Sequence, residues 1–192
     1  MKEVTQLNRS AFMLTFSAIC LAINLVLGMV MQSLKIPLLY LDTLGTMLGA
    51  AVLGPWYGAA IGGLTNVVQG VLTNPVNIPF ALVNVAIGLT VGWVARRYGF
   101  GWKVALPTGL FLAVAAPLVG TPIAIWIFGG LGGSGTDFLV LWLLKSGQGI
   151  FSAAFWPRIV GNLVDKIGCA LLTAFLLKRI PLAQLLPGKR ML

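Results

Sequence analysis

Long apolar runs alternate along the chain with short segments that are polar or rich in glycine and proline. A helix needs roughly 20 apolar residues to cross the hydrocarbon core of a bilayer. The pattern therefore predicts six transmembrane helices and a separate segment, 129–158, at the outer mouth of the bundle. The predicted spans are about 11–31, 42–53, 56–72, 80–95, 104–128 and 159–177.

The apolar stretch 41–72 is long enough for more than one helix, and it is interrupted by Gly54-Pro55. Proline ends or kinks a helix, and a preceding glycine lets the chain reverse its direction. We therefore expect two short helices joined by a tight turn. A single kinked helix is the alternative.

The segment 129–158 is apolar in part but is broken repeatedly. Its first residues are too rich in glycine to stay helical. The part at 138–158 contains Lys145, Gly147 and Pro157. We expect this part to be a helix that lies on the bundle mouth or folds back into it, rather than a seventh span.

Composition supports a membrane protein. Hydrophobic residues make up 58% of the chain and charged residues only 9%, whereas a soluble domain is about 25% charged. Such a chain cannot cover its surface with groups that water solvates. We expect an all-α integral membrane protein whose residues 1–192 form one compact, six-helix domain.

The net charge of +9 is distributed in a way that predicts orientation. Basic residues stand at the edges of apolar runs and form no stripe, so we expect no nucleic-acid partner. Cytoplasmic loops carry an excess of lysine and arginine. Six spans give both termini a cytoplasmic location in a bacterial plasma membrane. The inner side then holds Lys2, Arg9, Arg96, Arg97, Lys103, Lys178, Arg179, Lys189 and Arg190, against Lys35, Lys145, Arg158 and Lys166 outside.

The sequence offers little for catalysis or metal binding. It contains no histidine, which removes the commonest general base and metal ligand. Cys20 and Cys169 each lie alone in an apolar run, so we expect two buried small side chains. No phosphate-binding loop of the form GxxxxGK[ST] is present. We predict no enzyme activity, no catalytic residue, no metal and no cofactor.

Amide side chains cluster toward the predicted outer side and suggest a binding cup. Asn66 and Gln69 are three residues apart, so they share a helix face. The loops 32–41 and 73–79 could act as lids. Tryptophans approach the same mouth, although an aromatic belt at the lipid headgroups is the alternative for them. The remaining candidates for ligand contact are Asn74, Asn77, Asn84, Trp126 and Trp142, with Trp156 nearby.

Two sites place charge near membrane depth, where ionisable groups are functional candidates. Asp42 opens the second predicted helix, as a cap or as a ligand contact. The Asp165-Lys166 pair is an internal ion pair, part of a ligand site, or an interfacial pair if the last helix begins later.

Small residues four apart let membrane helices approach closely. We expect most of these pairs to serve packing within the bundle. They are Ala18/Ala22, Gly45/Gly49, Gly58/Gly62 and Gly88/Gly92.

Three runs carry a resemblance to a known family: residues 40–46 (YLDTLGT), residues 53–58 (LGPWYG) and the loop 73–75 (TNP). Together they resemble the substrate-binding S components of energy-coupling factor (ECF) vitamin transporters. The resemblance implies a subunit that binds a vitamin from outside and delivers it inward with an EcfT-like membrane coupling subunit and two cytoplasmic ATPase subunits. It also implies that Ala18 and Ala22 dock on the coupling subunit.

The resemblance leaves the ligand open. The run Asp42-Thr43-Leu44-Gly45-Thr46 is most similar to the cobalamin subgroup, and pyridoxine or hydroxymethylpyrimidine is the alternative. A stand-alone secondary transporter and a membrane enzyme are the competing classes. The first has no detectable inverted repeat to support it. The second has no clustered acidic metal ligands.

Overall fold

The computed structural model describes residues 2–34, 39–132 and 137–179, and these form seven α-helices, one short 3-10 turn and no β-strand. The 3-10 turn spans Pro75–Asn77. The helices are α1 (Lys2–Leu34), α2 (Leu44–Leu53), α3 (Pro55–Leu72), α4 (Ala81–Tyr98), α5 (Trp102–Phe128), α6 (Asp137–Lys145) and α7 (Ile150–Arg179).

Three of the described helices are long and apolar enough to cross a membrane by length and composition. They are the Ser10–Leu34 part of α1, all of α5 and all of α7. Helix α2 has only 10 residues, which at 1.5 Å per residue is about 15 Å, or half of the hydrocarbon core. It is buried along its whole length, so neighbouring helices surround it.

The glycine-proline pair separates two helices, as its sequence predicts. Helix α2 ends at Leu53, and the Gly54 N–H donates to the Ala50 carbonyl at 2.9 Å. Gly54 has a φ of 107°, a conformation that favours glycine. Pro55 then occupies the first position of α3, where its missing N–H costs nothing.

Glycines bring the helix backbones together in pairs. A methyl group at Gly88 of α4 would meet the Gly58 carbonyl of α3, and one at Gly62 would meet the backbone of Asn84. A methyl group at Gly45 of α2 would likewise meet the Cys20 carbonyl of α1. These glycine pairs therefore serve packing within the bundle, which is the function we expected for them.

A buried asparagine that the sequence analysis did not single out joins α1 to α2 and α3. The Asn24 Nδ2 donates to the Thr46 Oγ1 at 2.8 Å and to the Thr65 Oγ1 at 3.0 Å. Its Oδ1 accepts from the Gly45 N–H at 2.6 Å. Each hydrogen bond satisfies a polar group that would otherwise be buried in an apolar interior.

The last long helix begins earlier than predicted, at Ile150 rather than at residue 159. The expected mouth segment is therefore two elements: the short helix α6, and the first turns of α7. Pro157 lies inside α7 without ending it. Membrane helices tolerate proline where neighbouring groups satisfy the freed backbone, and α5 likewise continues through three prolines.

The glycine packing gives a direct stability test. Gly88→Ala places a methyl group against the Gly58 backbone, so it should lower the free energy of unfolding by about 1–3 kcal/mol. Gly168→Ala in α7 is the matched control, because a methyl group there meets no atom within 4 Å. Alanine should stabilise that helix by up to about 1 kcal/mol. Thermal unfolding in detergent micelles compares the two, and equal Tm values would contradict the packing argument.

Candidate ligand-binding cavity

A cavity of about 670 Å³ lies at the end of the bundle opposite Arg96 and Arg97. This volume falls within the range of small-molecule sites, about 300–1,000 Å³. Apolar surface comes from the end of α1, the start of α4 and the middle of α5. Polar surface comes mainly from the segment before α2, from α3 and from α7, with single side chains from α1, α4, α6 and the 3-10 turn. The polar lining is Gln32, Tyr40, Asp42, Thr43, Asn66, Gln69, Asn77, Asn84, Asp137, Arg158, Asn162 and Lys166.

The floor of the cavity holds a buried lysine surrounded by oxygens. The Lys166 Nζ lies 2.6 Å from the Asp165 Oδ2 and 3.1 Å from the Thr43 Oγ1. It also forms a longer ion pair with the Asp42 Oδ1, at 3.7 Å. Asp165 and Lys166 are both buried, so the internal ion pair is the correct alternative. Because Lys166 also lines the cavity, the pair belongs to the candidate site as well.

Asp165 fastens the segment before α2 to α7. Its Oδ1 accepts from the backbone N–H of Tyr40 at 2.9 Å and from that of Leu41 at 2.7 Å. Leu41 has a φ of 52°, an uncommon conformation for a leucine. The two hydrogen bonds hold the backbone in this conformation. They thereby fix the position of Asp42 and Thr43, which follow directly.

Asp42 is not a helix cap. The capping position of α2 is Thr43, and no side chain caps that helix end. The reason is that the chain enters the helix one residue later than predicted, while Lys166 attracts the Asp42 carboxylate. Asp42 keeps 26% of its side chain exposed, and it lines the cavity.

The predicted amides form a directed hydrogen-bond chain. The Asn66 Nδ2 donates to the Asn77 carbonyl at 3.2 Å, and the Asn66 Oδ1 accepts from the Asn84 Nδ2 at 2.7 Å. A backbone carbonyl can only accept, so it fixes the orientation of Asn66, which in turn fixes that of Asn84. Gln69 is buried beside this chain and also lines the cavity.

Three buried polar atoms of cavity-lining residues lack a hydrogen-bond partner among the described residues. They are the Asp42 Oδ1, the Asn84 Oδ1 and the Asn77 Nδ2. A buried polar atom without a partner is costly. Such atoms therefore mark where a ligand or ordered water completes the site.

The rim of the cavity is formed by residues that sequence reasoning placed outside the site. The Arg158 Nη1 donates to the Ala154 carbonyl at 2.6 Å, and its Nη2 donates to the Gly130 carbonyl at 3.0 Å. The Asp137 Oδ1 accepts from the Gly132 N–H at 3.1 Å. Arg158 and Lys166 share one face of α7 with Asn162, at a spacing of four residues. That spacing was the available signal, and starting the helix at residue 159 concealed it.

Some predicted site residues lie elsewhere. The Asn74 side chain accepts from the Val76 N–H at 3.1 Å and caps the 3-10 turn, outside the cavity lining. Trp126 is 90% exposed and Trp142 is 64% exposed, and neither lines the cavity. Trp156 is also exposed. These positions favour the aromatic belt, because an indole with its ring outward suits the membrane interface. The predicted lid 32–41 includes residues 35–38, which lie outside the described residues.

Neither cysteine lines the cavity. Cys20 and Cys169 are free and buried in the apolar core, as their sequence context predicts. Within the described ranges, no group of three His, Cys, Asp or Glu side chains is placed to hold a metal ion.

The helices and this cavity define an α-helical membrane protein with a site of small-molecule size. The chain belongs to the family described as the ECF transporter, substrate-specific component, which it matches over residues 12–177. Members of this family are substrate-binding transport subunits, not enzymes, and work with an EcfT-like subunit and with ATPases that hydrolyse the ATP. No curated protein and no solved structure matches the chain.

The Asp165 contacts generate a stability prediction. Asp165→Ala leaves Lys166 buried with one distant carboxylate and leaves the N–H groups of Tyr40 and Leu41 without their acceptor. It should therefore lower the free energy of unfolding by about 3–5 kcal/mol. Asp165→Asn is the matched control, because its amide oxygen can still accept from Tyr40 and Leu41. It should cost less. Thermal unfolding in micelles measures both, and identical losses would show that holding the backbone before α2 contributes nothing.

Proposed function

We propose that this chain is the high-affinity substrate-binding subunit of an ECF-type vitamin uptake transporter. The observation that carries the proposal is the polar cavity, which opens at the end of the bundle away from Arg96 and Arg97. Basic residues favour the cytoplasmic side, so this cavity faces outward and receives its ligand from outside. The family membership supports the partners: an EcfT-like coupling subunit and two ATPase subunits.

The proposed topology is a single domain with six spans, α1 to α5 and α7, in a bacterial plasma membrane. Antiparallel helix pairs support it. Gly58 of α3 packs on Gly88 of α4, whereas Gly62 packs on Asn84. Trp102 of α5 contacts Lys178 of α7, whereas Gly109 packs on Ile167.

An even number of spans places both termini on one side, and the basic Arg96 and Arg97 on that side make it the cytoplasmic one. Helix α6 then lies at the outer mouth, with its exposed Phe138 and Trp142 toward the membrane interface.

The proposed docking face lies on α1. Ala18 and Ala22 are exposed, whereas the glycine pairs of α2, α3 and α4 pack against neighbouring helices inside the bundle. A small-residue pair on the outside lets a second membrane protein approach the helix closely. This contrast supports Ala18 and Ala22 as the contact with the coupling subunit.

The proposed ligand class is a vitamin, with cobalamin as the first candidate by resemblance of residues 42–46. Cobalamin is a corrin with a nucleotide loop. It is large for a cavity of about 670 Å³, so the cavity would have to widen to hold it. Pyridoxine and hydroxymethylpyrimidine fit this volume without any widening. The resemblance therefore ranks these smaller ring ligands second, whereas the cavity size favours them over cobalamin.

Transport should depend on partners. Reconstituted alone in liposomes, the protein should bind a labelled vitamin but retain at most a stoichiometric amount. Adding the coupling subunit and the ATPases, with ATP inside the liposomes, should convert binding into sustained accumulation. Labelled cobalamin, pyridoxine and hydroxymethylpyrimidine are the ligands to compare. Multiple turnovers by the lone protein, driven by a sodium or proton gradient, would favour a secondary transporter instead.

The docking face gives a separate prediction. Replacing Ala18 and Ala22 together by leucine should abolish uptake by the assembled transporter, because bulky side chains keep the coupling subunit at a distance. Ligand binding by the isolated protein should stay within about twofold. Leucine at Val160 and Val164, an exposed pair four residues apart on α7, is the matched control and should leave uptake unchanged. Equal loss of binding and uptake in the α1 variant would refute docking.

A further inference from the structure

The charges at the cavity floor do not balance. Within the described residues, Lys166 faces two carboxyl groups, those of Asp165 and Asp42. Asp165 is fully buried and takes the closer ion pair together with two backbone N–H groups. Asp42 is left with the longer contact of 3.7 Å and with its Oδ1 unpartnered by any hydrogen bond. The surplus negative charge therefore lies on the residue that is exposed to the cavity.

The amide chain also ends in an acceptor. Because the Asn77 carbonyl fixes the orientation of Asn66 and then of Asn84, the free atom at the end of this chain is the Asn84 Oδ1. Asn84 is only 2% exposed, and its Nδ2 lies 3.5 Å from the Asp42 carbonyl. The two oxygens that lack a hydrogen bond, the Asp42 Oδ1 and the Asn84 Oδ1, thus belong to neighbouring residues at the floor.

The cavity's cations are already engaged. The Lys166 ammonium donates hydrogen bonds to Asp165 and Thr43, and its remaining charge is directed at the Asp42 Oδ1, which lies 3.7 Å away. Arg158 directs its Nη1 and Nη2 at backbone carbonyls. Beside Asp42 and Asn84, a carboxylate or phosphate would meet two acceptor oxygens that lack a hydrogen bond, which is repulsive. The unpaired buried donor among the described lining residues, the Asn77 Nδ2, belongs to the 3-10 turn and carries no charge to offset that repulsion.

From these contacts we infer that the floor selects a nitrogen heterocycle that presents N–H donors and a protonatable ring nitrogen to Asp42 and Asn84. This inference rests on the proposed function and narrows its ligand class. An exocyclic amine beside a ring nitrogen supplies two donors once the ring is protonated, and the added positive charge balances Asp42. Hydrogen bonds to a charged group are stronger than neutral ones, so Asp42 dominates the selection.

The test measures Kd for the full chain in lipid nanodiscs by calorimetry with a panel of probes. The matched pair is 4-amino-5-hydroxymethyl-2-methylpyrimidine and its 4-hydroxy analogue, which replaces the amine donor by oxygen. The amine should bind at least tenfold more tightly. Asp42→Asn should remove most of that preference and weaken binding of the amine at least tenfold. Asp137→Asn, which deletes the same charge at the rim, should have a clearly smaller effect.

Pantothenate and cobalamin complete the panel, and they separate this inference from the proposed function. Tighter binding of either one than of the aminopyrimidine would overturn the inference and keep a vitamin-binding subunit. Equal affinity for the amine and its 4-hydroxy analogue in the unaltered protein would also overturn the inference, whether or not Asp42→Asn folds. Binding of no vitamin in the panel would overturn both.

Discussion

The burial of one lysine constrains the rest of the site. An ammonium group taken out of water is costly unless opposite charge and hydrogen-bond acceptors surround it. Lys166 meets this requirement with oxygens from its own helix and from the segment before α2. Because these oxygens come from parts of the chain that are more than a hundred residues apart, satisfying the lysine also determines where α2 begins. The cavity floor is a consequence of that requirement.

Close backbone contact is the second condition for the cavity. Apolar side chains gain little by leaving lipid for a protein interior, so membrane helices associate through packing and hydrogen bonds. Glycines at the contacts of α3 with α4, and of α2 with α1, supply the packing. Asn24 supplies the hydrogen bonds between α1, α2 and α3. Gly62 packs directly against Asn84, so the contact that joins α3 to α4 also brings the amides of these two helices together.

Much of this arrangement could be predicted from local sequence, and the rest depended on helix phase. Gly54-Pro55 predicted the break correctly because its effect on the backbone is local. Asn66 and Gln69 were predicted to share a face because their spacing matches the helix period. Trp126 was harder, since the sequence does not say whether its face of α5 meets lipid or the cavity. Arg158 was not assigned to the site because the predicted last helix began after Pro157. In the structure α7 continues through Pro157 and presents Arg158 to the cavity.

Helix α1 connects the two surfaces on which the proposed function depends. Its inner face carries Cys20, Asn24 and Gly28, all buried, and Gly28 reaches the cavity. Its opposite face carries Ala18 and Ala22, which are exposed. The hydrogen bonds of Asn24 fix the rotation of α1 about its own axis. If the helix turned, the buried Asn24 side chain would lose its three hydrogen-bond partners on α2 and α3. The alanine face therefore stays outward for as long as these three hydrogen bonds hold.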